Sequence, residues 1–253
     1  MNSEIRAKVK NVHGTIPENG VAVSSYLLSK GYTYEQLYGY KKSGWIDEFG
    51  HGAYCKHGQC PSIESAIDAL CHQVGLPLRI GARSALTFDG FVHFIPMHRQ
   101  QMHLYLKRGI TLPKWFSKKF SREYTLSTTG FIDIEDGISE QPTNGFSCLR
   151  SDPERAILEL LNLVPYKVQV AECYQLLEMM TNLRVSVLQK LLTHCSSVKA
   201  KRLFLMLAEA AGHPWFKRLD TSDVDLGSGC RMIDKGGSLE TKYGVVVKPW
   251  RTI

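Results

Sequence analysis

Thr33-Tyr34-Glu35-Gln36-Leu37-Tyr38-Gly39-Tyr40-Lys41-Lys42-Ser43-Gly44 is the stretch on which the reading of this chain turns. Thr33 followed three residues later by Gln36 has the form of a capping box. The threonine hydroxyl accepts from the amide at the third helical position, and the glutamine side chain reaches back to the amide of the cap. A helix of about ten residues follows, with Leu37 as its core anchor and Gly44 as its stop. At about 100° per residue, Glu35, Tyr38, Gly39, Lys42 and Ser43 then point away from the core, and Gln36 sits at the edge. Glutamine bonds adenine edges bidentately, and lysine reaches guanine or phosphate. A mid-helix glycine costs about 1 kcal/mol against alanine. On an exposed face packing is a poor reason to accept that cost, and close approach to a DNA backbone is one alternative reason. The plainer alternative is a merely solvated helix face.

Upstream of it, residues 2–12 form a first helix with Ile5, Val9 and Val12 on one face, and Gly14 and Pro17 break it. Val21–Val23 is extended. Ser24 caps a short helix over Ser24–Ser29, which Gly31 ends in a left-handed position. After Gly44, Trp45-Ile46 starts a strand, Phe49-Gly50-His51-Gly52 is a tight turn and Ala53–Lys56 returns. Helix, short helix, turn, helix and hairpin make a winged helix-turn-helix, expected over 1–60. Ser24 and Ser25 at the start of the short helix suit a phosphate, or serve only as caps. His51 at the wing tip, with Lys56 and His57 behind it, suits phosphate or the minor groove, or is a solvated turn.

Downstream, Ile63, Ala66, Ile67, Leu70 and Val74 form a buried helical stripe closed by Gly75 and Pro77. Residues 78–126 read as mixed, with short strands around 91–95 and 102–106 and brief helices near 81–87 and 113–120. Residues 133–147 read as a loop. Asp152-Pro153-Glu154 is a helix start, and further helices fit 168–180, 184–195 and 197–211. The tail, 229–248, suggests a hairpin with its turn at Lys235-Gly236-Gly237. The fold class expected is α+β: the winged helix-turn-helix, then a second domain over 61–253 that is mixed α/β to 150 and mainly helical from 151.

The 253 residues are 43% hydrophobic and 22% charged, which fits a globular chain. No apolar run reaches the roughly 18 residues that cross a bilayer, and MNSEIRAKVKN lacks the apolar stretch of a leader, so a cytoplasmic protein is expected. Seven cysteines at irregular spacing are not a disulfide framework. The net charge of +7 favours a polyanionic partner, yet residues 1–76 carry 7 basic and 7 acidic side chains. The excess lies later, in Lys114–Arg122 with Lys118, Lys119 and Arg122, in Lys199, Lys201 and Arg202, and in Lys217 and Arg218. Interleaved with aromatics, such stretches suit nucleic acid or an acidic partner, or are solvated faces over a core. Cys55-Lys56-His57-Gly58-Gln59-Cys60 lacks the paired spacing of a zinc site. No nucleophile elbow or Walker-type phosphate loop is present. Asp223-Val224-Asp225 before Gly227-Ser228-Gly229 reverses the order of a nucleotidyltransferase signature and reads as a turn. No catalytic residue, metal or cofactor is expected.

Gly44-Trp45-Ile46 with Gly50–Tyr54, Ala66–Leu70, Gly75–Gly81, Ala85-Leu86, Gly90–Phe94, Leu112–Phe116, Ser151–Leu158, Ser197–Leu205 and His213–Leu219 together resemble the AbiEi antitoxins, nearly end to end. These are the antitoxin and autorepressor components of type IV toxin–antitoxin systems. The chain departs at Arg79-Ile80-Gly81-Ala82-Arg83, where relatives carry a second glycine. The resemblance implies an N-terminal domain that binds inverted repeats of double-stranded DNA in its own promoter. It implies a C-terminal domain that counteracts a co-encoded nucleotidyltransferase-like toxin, with direct contact not required. It carries over no catalytic residue. The rival readings are a winged helix that holds protein, a ligand-responsive transcription factor without antitoxin role, and an enzyme acting on nucleotides through Asp223 or Asp225.

Overall fold

In the computed structural model, which describes residues 12–92 and 100–251, the capping box forms as the spacing predicts. The Thr33 hydroxyl accepts from the Gln36 amide at 3.2 Å, and the Thr33 amide donates to the Gln36 side chain at 2.9 Å. That box opens the helix α2 (Tyr34–Lys42), which follows β1 (Ala22–Val23) and α1 (Ser24–Ser29). Gly31 between the helices and Gly44 after α2 take φ of 89° and 69°, the left-handed values a glycine tolerates without cost. β2 (Ile46–Gly50) and β3 (Ala53–Lys56) form the hairpin, and β1 adds to it in the order β1-β3-β2. Leu27, Leu37 and Ile46 meet Val12, Ile16 and Ala22 in one small core. From Ser24 to Lys56 the element order is the expected one of short helix, turn, helix and hairpin.

Two packing units divide the chain. The first comprises 1–79, 106–126 and 140–149; the second comprises 80–105, 127–139 and 150–253. These units do not follow the expected boundary at residue 60. The first unit also holds α3 (Ile63–His72) and takes back two later segments, a long-range return that no local pattern announces. The chain also forms a five-stranded sheet. Its strands are β4 (Arg79–Ile80), β5 (Met102–Lys107), β6 (Tyr124–Thr129), β7 (Ile138–Thr143) and β8 (Phe146–Ser151), ordered β6-β5-β4-β8-β7. α4 (Ala82–Phe88) precedes β5, and α5 (Lys114–Lys119) lies between β5 and β6.

The second unit is built around α6 (Pro153–Asn162), which packs on α4, α7 (Val170–Met179), α8 (Val185–Thr193) and α9 (Val198–Ala211). α6 is buried on all sides, so its ionic groups must find partners inside. Glu159 accepts from the Ala82 amide at 2.9 Å, the Ser151 hydroxyl at 3.1 Å and Arg155 at 3.2 Å. Ala82 has a φ of 46°, held by the Glu159 carboxylate on its amide. Gly81 has no room for a side chain, since a Cβ there would lie 2.4 Å from Glu159 Oε2.

Several local expectations are corrected. α1 is capped by Val23 with no side-chain bond, and Ser24 is its first helical residue. Asp152 precedes α6 but does not bond its amides; its carboxylate holds Ser139 and Arg184 instead. Residues 138–151 are the hairpin β7–β8 and not a loop: Asn144 and Gly145 have φ of 49° and 86°, the two positive values of a type I′ turn. In the tail, β10 (Ser238–Glu240) and β11 (Val245–Val247) pair around 241–244, and β9 (Arg231–Met232) runs parallel to β11. The helix expected over 2–12, apart from its last residue, and the strand core at 93–95 lie outside the described residues. Among the described residues no helix is long and apolar enough to cross a membrane.

Candidate nucleic-acid interface

α2 is anchored by Leu37, its one buried residue, so most of its circumference is free of packing. Tyr34 and Tyr38, four residues apart and hence one above the other, are 64% and 68% exposed. Glu35, Lys42 and Ser43 are exposed as well. A Cβ added at Gly39 would meet nothing within 4 Å, so packing does not ask for that glycine. Tyr34 is absent from the residues expected on this face. At about 100° per residue it lies about 60° from Leu37, so helical phase does not announce its exposure; its place as the first residue of the helix leaves it outside.

The neighbours of this face sort differently from expectation. Thr33 and Gln36 are occupied by the cap. Bidentate readout of adenine needs the amide oxygen that Gln36 gives to Thr33, so Gln36 is here a capping residue. Ser24 donates its amide to Gly52 O at 2.8 Å, which ties the wing turn to the start of α1 and takes that amide from any phosphate. Ser25 and His51 remain exposed. Lys56 is corrected from a wing contact to an interior one: it is 9% exposed and paired with Glu18. His57 pairs with Asp47 at 2.9 Å, and that contact with the Gly58 amide holds the Asp47 carboxyl below its ordinary range. Lys41 pairs with Glu48 of β2. Lys30 stands over the Tyr26 ring at 5.2 Å.

In the same unit α5 lies against the wing. Trp115 and Phe116 are buried, and the Phe49 ring meets Trp115 at 6.0 Å and Phe120 at 5.9 Å. Gly50 is required by this contact, because a Cβ there would sit 2.6 Å from the Trp115 Cβ. The aromatics of Lys114–Arg122 are therefore core anchors. Lys114, Lys118, Lys119 and Arg122 are exposed, and Lys119 Nζ lies 4.9 Å from the Phe49 ring centre.

The second basic stretch is not a surface. Lys201 and Arg202 are 3% and 5% exposed. They lie in the span 200–208 of α9 that is buried throughout. Arg202 donates to the carbonyls of Leu226, Gly227, Gly229 and Gly244, fastening the tail turns. Lys199 donates to Asn162 O and Val164 O just past the end of α6, and burial lowers its pKa. Lys217 and Arg218 are exposed on the short turn Phe216–Arg218. Beside them Trp215 is a core residue whose indole donates to Met180 O at 2.8 Å.

Asp225 accepts from the Gly227 amide at 2.8 Å, the bond of a local turn. Cys55 is buried and its thiol pushed up to about 11 by that burial, while Cys60 is exposed. Among the described residues no three His, Cys, Asp or Glu side chains come together as metal ligands.

Residues 5–97 match the family model described as the AbiEi antitoxin N-terminal domain of a transcriptional regulator. Residues 99–248 match that of the AbiEi antitoxin transcriptional regulator of type IV toxin–antitoxin systems. No curated protein matches the chain. Among solved structures, the RV2827C protein from Mycobacterium tuberculosis is similar with a TM-score of 0.61 over 91% of this chain and 87% of that one. At 11% identity this likeness is one of fold.

Proposed function

The chain belongs to the AbiEi family of transcriptional regulators and antitoxins of type IV toxin–antitoxin systems, and on that premise we propose that it is a DNA-binding autorepressor of its own operon. The observation that carries this reading is the exposed face of α2, with Tyr34, Tyr38 and Lys42 outward and an unobstructed Gly39 between them. Set in a major groove, the tyrosines contact base edges and sugar, Lys42 reaches guanine or phosphate, and Gly39 lets the backbone come close. Ser25, Ser43 and His51 border that face and suit phosphates.

The antitoxin activity is assigned to the second unit and directed against a co-encoded nucleotidyltransferase-like toxin, without a requirement for stable contact. Lys217 and Arg218 are its exposed remnant of the expected basic surface. No catalytic role is assigned: Asp223 and Asp225, the aspartates of the enzyme reading, flank a turn that Asp225 itself closes. The rival reading of the winged helix as a protein-binding module draws on the even charge over 1–76. Residues 106–126, which pack in the same unit, add six basic side chains and one acidic, which weighs against that reading.

The test is a mobility-shift titration of the duplex upstream of the coding sequence. Tyr38→Ala and Lys42→Ala should each weaken binding by about 1–3 kcal/mol, the worth of one good base contact, and a promoter fusion should be derepressed in step. Unchanged binding by the double variant rejects α2 as the reader.

A further inference from the structure

The second unit contains a cavity of about 560 Å³ beside the end of α9. It is lined by Leu205, a core residue of that helix, and by Phe216, Leu219, Leu226 and Tyr243, which are half-buried and pack on the same core. Small-molecule sites are typically concave, mainly apolar and about 300–1,000 Å³, with a few polar groups that fix orientation.

The segments that carry this lining are fastened by hydrogen bonds. Leu226 O accepts from Arg202 at 2.7 Å. The Asp220 amide, next to Leu219, donates to Gln189 at 3.0 Å. The Trp215 indole, next to Phe216, donates to Met180 O at 2.8 Å. The Tyr243 hydroxyl donates to Glu209 at 3.0 Å. The cavity is thus set by the fold, and a guest has little of the protein left to order.

The polar side chains of the lining are Glu209, His213, Lys217, Thr221 and Lys242. Lys242 is paired with Glu209, so those two charges cancel. His213 Nε2 lies 2.8 Å from Leu177 O. Lys217 is exposed on the turn Phe216–Arg218 and is the charge that remains. The Thr221 hydroxyl is a further donor on the same lining. A neighbouring cavity of about 700 Å³ shares Glu209 and Tyr243 but adds Glu240, Trp250 and Arg251. With two carboxylates against one guanidinium, that one does not suit an anion.

We propose that the cavity at the end of α9 is a binding site for a small amphipathic monoanion, an apolar or aromatic body bearing one carboxylate. The body covers Leu205, Phe216, Leu219 and Leu226, and the carboxylate accepts from the Lys217 ammonium and the Thr221 hydroxyl. A cavity of this volume takes one such molecule, whereas a stable protein partner needs roughly 800 Å² per side. The site lies wholly in the second unit, so the inference stands apart from α2 and its DNA. A bound monoanion stabilises that unit by mass action.

The experiment is calorimetric titration of the full chain with 2-naphthoate and decanoate, with 2-naphthol and naphthalen-2-ylmethylammonium as the neutral and cationic counterparts. The naphthoate should bind at one site per chain and raise the melting temperature. It should bind about tenfold or more tightly than the naphthol, the worth of a hydrogen bond to a charged group, with the cation weakest. Lys217→Gln should abolish the preference for the anion while leaving naphthol binding and the melting temperature of the free protein unchanged. Lys217→Arg should keep the preference, which a loss of folding would not explain. Amide hydrogen exchange with the naphthoate should slow in peptides covering 213–226 and 240–245. Equal binding of anion and cation overturns the inference, as does a preference that survives Lys217→Gln. Protection confined to 248–251, or no binding of either carboxylate at millimolar concentration, overturns it as well. In each of these cases the reading of α2 stands.

Discussion

Lys114–Arg122 and Lys199–Arg202 read alike in sequence, as basic stretches beside apolar residues, and they come to opposite ends. The first lies on a six-residue helix with its aromatics in the core and its lysines outside. The second begins a fourteen-residue helix whose middle is buried all round, and there Lys199 and Arg202 are put to use on backbone oxygens. A guanidinium offers five donors in a fixed plane. Four turn carbonyls converging on Arg202 satisfy most of them, and no exposed charge is left over. Basic composition is therefore not the same as surface field. What decides is whether turns elsewhere in the chain need donors.

The largest expected effect breaks this contrast at its buried end. Arg202→Met leaves the carbonyls of Leu226, Gly227, Gly229 and Gly244 without their charged donor. It should destabilise the chain by about 3 kcal/mol or more in urea melts, whereas Lys217→Met, exposed nearby in sequence, should stay near zero. Equal effects would mean that Arg202 is no clamp. Nearly as large is the acid response of the same unit. Burial, with Lys167 close by, pushes the His103 ring down to about 4, while an unfolded histidine titrates near 6.5. The folded state thus holds fewer protons. Its advantage is complete above about pH 6.5 and is lost as pH falls toward 4, amounting to about 3 kcal/mol. A stability–pH profile that keeps this slope in His103→Asn would refute the assignment. The smallest effect belongs to the exposed end: Lys118→Ala should change the stability read in the same urea melts by less than about 0.5 kcal/mol.

The reading helix was legible because its signals are local. Thr33, Gln36, Leu37 and Gly44 specify cap, anchor and stop within twelve residues, and the structure shows each in its place. The helices from α6 to α9 were legible through their apolar stripes. The β7–β8 hairpin was not, because Pro142 and the polar residues around it mask the strand. Pro142 is tolerated because β7 is an edge strand. The return of 106–126 to the first unit and the burial of Lys201 and Arg202 are long-range outcomes. They depend on where distant turns leave carbonyls or distant strands leave a face, and no window of sequence contains that information. Of the candidate site, Tyr38, Gly39, Lys42 and Ser43 follow from helical phase, while Gln36 and Lys56 were assigned outward roles that cap and ion pair instead claim.

Amide hydrogen exchange on the full chain, with and without the duplex from upstream of its coding sequence, bears on α2 as the DNA-reading surface. Slowed exchange is expected in peptides covering 34–44, with no change across 197–219. Protection confined to 197–219, with 34–44 exchanging as in the free protein, would contradict that assignment.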